Sequence, residues 1–449
     1  MEIMTTYWQW GLMILVSLLM IVFAPKAKDE FEFFKAKVQN SRLGFWVLTS
    51  SLVISWIFAK SIINASDLGL KYGIMGGIAY ACYYLSFLVG GIVIFHLRHN
   101  GGYQSVHHFL RVNHGYTAVI LFTILIAIRL FNEVWSNTMV IGSFFGFQGT
   151  IEYYSAIIIF TILTLAYVLK GGMRSSLFTD AIQMILFVVL LMLILFYIIP
   201  DISISDLNQG KSSANQGGLN LMFVALIQCF SYPFHDPVMT DRGFIADVKL
   251  TKKAFIFAGL IGFLSIVLFS LIGIYAGKLM LDSPAAVSVS HTLHIGGLLT
   301  INLIMITSAS STLDSTFSSF SKLTIYDLKL FKATITNGRL VMIFIMLLGT
   351  IPIFFDPAIL SATTISGTMV IGLMPPFIFW KWKTRKNAFS ITVIIGVLFG
   401  LVHVLGLWPK SFIFFKGDYA ELLSVNIVGS IICFITYLIF YQWKKETKI

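Results

Sequence analysis

The residues best able to do chemistry lie inside apolar stretches, where such side chains are costly. A charge at bilayer depth costs at least about 2.5–3.5 kcal/mol on insertion scales, so each asks for a partner or a task. The segment ITSASSTLDSTFSSFSKL places Ser308, Ser311, Thr312 and Ser315 at i, i+3, i+4 and i+7, with Asp314 beside them. That spacing draws one polar stripe along a helix. Hydroxyl, carboxylate and carbonyl oxygens together suit a hard monovalent cation. Small hydroxyl residues also serve close helix packing, but packing has no use for the carboxylate.

Three other places intrude on apolar sequence. TSSLVISWIFAKSIINASDLG carries Ser50, Ser51, Ser55, Lys60 and Ser61, with Lys60 too deep to snorkel comfortably. IQCFSYPFHDPVMTDRGF sets Pro233 and Pro237 around His235 and Asp236, which predicts a broken helix; a helix ending near Tyr232 is the plainer alternative. Asp180 stands at the start of an apolar run in GGMRSSLFTDAIQMILF. Arg129 and Glu133, in IRLFNEVWSN, are one helical turn apart and can pair with each other.

The elements that must hold these residues follow from composition. Of 449 residues, 57% are hydrophobic and 11% charged, against roughly 25% charged in soluble proteins. The mean hydropathy is +0.87. Such a chain cannot cover a globular surface, so the bilayer is its partner, and the expected fold is an all-α polytopic membrane protein. Thirteen runs approach spanning length: 7–24, 43–65, 72–95, 116–141, 154–169, 177–199, 219–238, 254–279, 298–323, 341–355, 359–380, 389–407 and 422–441. A net charge of +11 would suggest nucleic acid in a soluble protein, but alternate loops gather most of the Lys and Arg. The opposite loops hold only Lys71, Lys211, Lys278, Lys410 and Lys416, while Lys60 and Arg129 lie within runs. The asymmetry predicts an N-terminus outside and a C-terminus in the cytoplasm, with no nucleic-acid role. The first run reads as a retained anchor, since Lys26 and Lys28 follow it and no small-residue cleavage signature does. Cys82, Cys229 and Cys433 each sit in an apolar run and read as buried thiols. No phosphate loop, zinc spacing or nucleophile elbow stands in a cytoplasmic loop, which argues against an ATP-driven pump or a sensor kinase. A membrane-embedded enzyme with His235 and Asp236 as its acid–base pair is the remaining enzymatic alternative, and no enzyme is expected.

With the first run set aside, the next ten form two groups of five, and each group opens on its interrupted helix. Paired broken segments at corresponding positions point to a midplane site in an inverted-repeat transporter. On the residues alone, the chain reads as a secondary transporter in the cytoplasmic (cell inner) membrane.

Four segments resemble the sodium:solute symporter family: Gly171–Phe187 (GGMRSSLFTDAIQMILF), Ser310–Leu328 (SSTLDSTFSSFSKLTIYDL), Ser51–Ser61 (SLVISWIFAKS) and Asp236–Phe244 (DPVMTDRGF). They occur in the family's order, over about residues 30 to 385. The resemblance implies a single membrane transport domain over 1–449 with a five-plus-five inverted-repeat (LeuT-like) core. Its halves would be 43–199 and 219–380, with one helix before (7–24) and two after (389–441). It implies sodium held by the carbonyls of Ile54, Ile57 and Ser308 and the hydroxyls of Ser311 and Thr312. A second sodium would use Asp180, Asp314 and Ser315. Substrate contacts would come from Lys60, Ser61, Arg129, Glu133, His235 and Asp236. Lys60 stands where sugar-carrying members have an acidic or polar residue, which disfavours a sugar. If Glu133 neutralises Arg129, Lys60 is left for a solute carboxylate or for Asp236. The expected function is sodium-coupled symport of a small polar or anionic (carboxylate-bearing) solute by alternating access. A proton-coupled or facilitative carrier of the same fold, or a transporter-derived nutrient sensor, is the alternative.

Overall fold

A long apolar run in a bilayer has no water to satisfy its backbone, and a helix meets that demand within one segment. The computed structural model describes residues 2–36, 43–210, 216–355 and 359–442, and its regular structure is helical apart from one isolated bridge, Thr384 to Tyr441. Residues 37–42 of the first basic loop and Lys211 of the polar loop 200–218 lie outside the described residues.

The order begins with α1 (Glu2–Phe23), a short α2 (Glu30–Lys35), then α3 (Phe45–Ile54) and α4 (Ala59–Tyr72). Next come α5 (Ile74–Ala81), α6 (Ser86–His99), α7 (Val106–Ser143), α8 (Ile151–Gly171) and α9 (Met173–Ile198). The second half holds α10 (Gln216–Gln228), α11 (Pro237–Arg242), α12 (Val248–Lys278), α13 (Ala285–Thr292), α14 (Ile295–Lys322) and α15 (Ile335–Thr350). It ends with α16 (Ile359–Met369), α17 (Met374–Ile378), α18 (Ala388–Val404) and α19 (Ala420–Ile439). Capping side chains set several starts: Ser105 accepts from the His108 N–H, Thr150 from Tyr153, and Asp247 from Lys249 and Leu250.

Each of the thirteen runs holds helix, but they are not thirteen unbroken spans. Among the described residues, nine helical stretches are long and apolar enough to cross a bilayer, and α3 with α4 adds a pair bent by 59°. The segment expected at 219–238 is split into α10 and α11, and that at 359–380 into α16 and α17. The helix expected from residue 116 begins at Val106, merged across a kink at Gly115 whose φ is +82°.

Two features place the site. The stripe helix α14 is enclosed, with every residue from Ile304 to Ser319 buried. Behind it α4 crosses α12 at backbone contact: a Cβ on Gly273 would stand 1.7 Å from the Ser66 carbonyl oxygen, and one on Gly69 would stand 2.2 Å from that of Ser270. Only glycine fits at that crossing. Large apolar side chains such as Leu15, Phe196 and Leu347 face outward, as a lipid-solvated surface requires.

Candidate functional site

The break between α3 and α4 covers Ser55 to Phe58, a stretch without proline or glycine. Backbone chemistry does not force it; tertiary bonds hold it. The Tyr84 hydroxyl donates to the Trp56 carbonyl at 2.7 Å, and Ser55 Oγ lies 3.0 Å from Ser315 Oγ and 3.4 Å from Ser311 Oγ. Among the described residues no backbone N–H donates to the carbonyl of Ile54 or of Ile57. Ser308 Oγ on α14 is buried without a partner, and Thr312 Oγ1 donates to the Ser308 carbonyl at 2.9 Å while keeping its lone pairs. The interruption therefore sets two free carbonyls on a helix break that packs on the hydroxyl stripe, and these oxygen types fit sodium.

Beside this lies a fully buried polar cluster. Asp180 accepts from Ser311 Oγ at 2.5 Å on one oxygen, and from Ser51 Oγ at 2.5 Å and Ser55 Oγ at 3.2 Å on the other. Asp314 accepts from Ser176 Oγ at 2.6 Å, Tyr167 at 2.8 Å, Thr179 at 3.0 Å and Ser315 at 3.3 Å. The two carboxylates expected to share a second cation are linked through Ser55, which donates to Asp180 at 3.2 Å, and Ser315, which lies 3.0 Å from Ser55 and donates to Asp314. A side chain already stands there: Arg242 Nη2 lies 3.0 Å from Asp180 and 2.8 Å from Ser315 Oγ, and Arg242 Nε donates to Ser51 at 2.5 Å. Arg242 is fully buried, which corrects the expectation that Lys60 and Arg129 are the only basic residues at depth. Its helix α11 continues past the proline break and carries it inward from what reads as a loop. Ser51 likewise does more than pack.

The second cluster joins α4, α7 and α11. Lys60 Nζ lies 2.7 Å from Glu133 Oε2 and 3.2 Å from Ser136 Oγ. Arg129 Nη1 lies 2.5 Å from Glu133 Oε1, and its Nη2 lies 3.3 Å from Asp236. The Phe58 ring faces both cations, at 4.9 Å from Lys60 and 5.2 Å from Arg129, and Tyr232 faces Arg129 at 5.1 Å. Lys60 is thus not free, contrary to the expectation that Glu133 would serve Arg129 alone; Glu133 serves both, because the Arg129 fork also reaches Asp236. Two cations meet two carboxylates, and the quartet is balanced. Asp236 also caps α11 by accepting from the Met239 N–H at 3.2 Å. Of the other expected contacts, Ser61 turns to the Tyr80 hydroxyl at 3.2 Å. His235 Nδ1 meets the Tyr232 carbonyl at 2.8 Å, which leaves Nε2 buried without a partner.

Past α11 opens a polar cavity of about 630 Å³, lined among others by Arg98, Gln104, Thr240, Asp241 and Lys322. Asp241 pairs with Lys322, which also lies 3.3 Å from Asp327. Tyr167, Ser176, Thr179 and Arg242 all bind the buried acids without having been singled out in the sequence. For Arg242 a signal existed: two acids at depth with no cation demand one.

Two interrupted helices set against buried polar clusters, on an all-helical frame, make the LeuT-like fold. Solved structures carry that fold across nearly the whole chain. A Na+-coupled sialic acid symporter in its substrate-bound outward-open state superposes with a TM-score of 0.70 at 16% identity, covering 98% of both chains. MHP1, a nucleobase-cation-symport-1 family transporter closed on bromovinylhydantoin, gives 0.54 at 11%, covering 92% of this chain and 94% of the other. MhsT in complex with L-phenylalanine gives 0.55 at 14%, covering 89% and 98%. A search of curated protein sequences returns no match. The model of the sodium:solute symporter family matches residues 37–329, and the chain belongs to that family. The proteins it matches are transporters, not enzymes.

Proposed function

We propose that this protein is a sodium-coupled symporter of a small polar solute that bears a carboxylate. The observation that carries the reading is the break at Ser55–Phe58. Among the described residues the carbonyls of Ile54 and Ile57 accept no backbone N–H, and Ser55 Oγ lies 3.4 Å from Ser311 Oγ and 3.0 Å from Ser315 Oγ on the α14 stripe that also carries Ser308 and Thr312. Sodium there ties α3 and α4 to α14. Because it binds one arrangement of the break better than another, it shifts the population toward the state that admits solute. The solute site is the quartet of Lys60, Arg129, Glu133 and Asp236 with Ser61 and the bare His235 Nε2 nearby. Its balance shapes the solute. A carboxylate can take Lys60 or Arg129 only by replacing Glu133 or Asp236 as the partner, so a solute whose own donor group engages the displaced acid leaves no charge unmatched.

In this reading residues 1–449 form one membrane domain in the plasma membrane. Two five-helix halves, 43–199 and 219–380, carry the cycle, and 7–24 and 389–441 flank them. The N-terminus faces outward, and the cavity beyond α11 opens to the cytoplasm. The experiment is a thermal-shift panel on purified protein with zwitterionic, purely anionic and neutral polyol solutes, each in sodium and in choline. Stabilisation by carboxylate-bearing solutes that is stronger in sodium supports the assignment. Equal response in both buffers removes the coupling, and response to polyols alone removes the carboxylate.

A further inference from the structure

The two clusters differ in their charge balance, and the difference falls where a second cation was expected. The quartet around Lys60 pairs two cations with two acids. The cluster beside the break holds two acids, Asp180 and Asp314, and one cation, Arg242. Among the described residues no cationic side chain lies within ion-pair distance of Asp314; its partners are the hydroxyls of Tyr167, Ser176, Thr179 and Ser315. The next charged group along α11, Asp241, turns away to Lys322 at the polar cavity.

Arg242 Nη2 has an oxygen shell of the kind an ion would have. Asp180 lies at 3.0 Å, Ser315 at 2.8 Å, and Ser55 and Ser176 at 3.4 Å each. Asp180 and Ser315 are two of the three residues that a second sodium would need, and the third, Asp314, shares Ser176 and Ser315 with the guanidinium. These residues do not fit a second sodium while Arg242 remains.

We propose that Arg242 is the resident cation of this second position, so that a single sodium accompanies each transport cycle. The inference rests on the sodium-coupled reading above and adds its stoichiometry. A guanidinium is tethered to the chain, so it supplies a charge that never leaves with the solute. Tethered to α11, it also links the second broken segment to α3, α9 and α14 through Ser51, Asp180 and Ser315. Asp314 is left with hydroxyl partners alone, and one monovalent ion at the oxygens assigned above to Ile54, Ile57, Ser308, Ser311 and Thr312 would balance it.

The test is equilibrium binding of radioactive sodium to the purified full chain. Wild type is expected to bind one ion per chain. Arg242→Gln vacates the second position and is expected to bind two. Asp180→Asn leaves Arg242 balanced by Asp314, and its sodium affinity is expected to fall by about tenfold or more, the scale of an interior charge interaction. Arg242→Gln combined with Asp180→Asn restores the single deficit and is expected to bind one ion, which keeps the test available if Arg242→Gln alone does not fold. Two ions in wild type, one unaltered ion in Arg242→Gln, or undiminished affinity in Asp180→Asn overturns the proposal. A folded double variant that binds none does so too. No sodium binding by wild type instead overturns the sodium-coupled reading itself, and this inference falls with it.

Discussion

Lys60 Nζ and Glu133 Oε2 meet at 2.7 Å with both side chains sealed from solvent, and the same carboxylate takes Arg129 on its other oxygen. Removing one partner of a buried pair strands the other, at a cost of about 3–5 kcal/mol. Lys60→Met is therefore expected to lower the unfolding temperature sharply, and Lys60→Met with Glu133→Gln to regain much of the loss, because Arg129 then keeps Asp236 as its partner. A double-mutant cycle on thermal unfolding reads the coupling directly. Additive single effects mean that Lys60 does not depend on Glu133.

The cation oxygens make a separate claim. An ion that binds only the folded state stabilises it, by about 2.7 kcal/mol at a hundredfold excess over its Kd. Wild type should melt higher in sodium chloride than in choline chloride, and Thr312→Ala should lose most of that difference. Ser311→Ala should lose it as well, with an added penalty in both buffers because its hydroxyl also donates to Asp180 at 2.5 Å. Ser311→Thr, which keeps an oxygen there, should retain part of the sodium effect. A sodium shift unchanged in Thr312→Ala would falsify that residue as a ligand.

How much of this was legible beforehand depends on whether a feature is local. The stripe of Ser308, Ser311, Thr312 and Ser315 follows from helical period, and the split between α10 and α11 follows from Pro233 and Pro237, so both could be read from the sequence. The break at Ser55–Phe58 has no proline or glycine and is held by Tyr84 and Ser315 from distant segments, so only the crowd of polar residues hinted at it. Arg242 was hidden for a different reason. A basic residue a few positions past a broken helix looks like a loop charge, and nothing local shows that α11 carries it inward to Asp180. Lys60 was located but not its partner, because the choice between Glu133, Asp236 and a solute is settled by how α4, α7 and α11 meet.

The crossing of α4 with α12 is sensitive at one glycine and indifferent at the next turn. A Cβ on Gly273 would overlap the Ser66 carbonyl at 1.7 Å, whereas one on Gly277 meets only the Leu70 methyl at 3.5 Å. The first clash is with backbone, so the helices must separate, and Ser66 Oγ, 3.2 Å from the Phe269 carbonyl, loses its place. Gly273→Ala is expected to cost about 1–3 kcal/mol or more, and Gly277→Ala to be neutral or to stabilise by up to about 1 kcal/mol through helix propensity. Thermal melts of the two variants side by side decide it, and equal melting points reject the close crossing.

The last prediction concerns which way the molecule faces. Gln104 is exposed at the rim of the polar cavity of about 630 Å³ beyond α11, and Lys71 is exposed near the far end of α4, 2.8 Å from Asp418. The excess of Lys and Arg in alternate loops assigns the Gln104 side to the cytoplasm and the Lys71 side to the exterior. Cys82, Cys229 and Cys433 are buried, so the native thiols give little background to an impermeant maleimide. In intact cells Lys71→Cys should label at once, and Gln104→Cys only after permeabilisation. If Gln104→Cys labels in intact cells while Lys71→Cys does not, the orientation is inverted. The cavity beyond Asp241 and Lys322 then serves as the entry for solute rather than its exit.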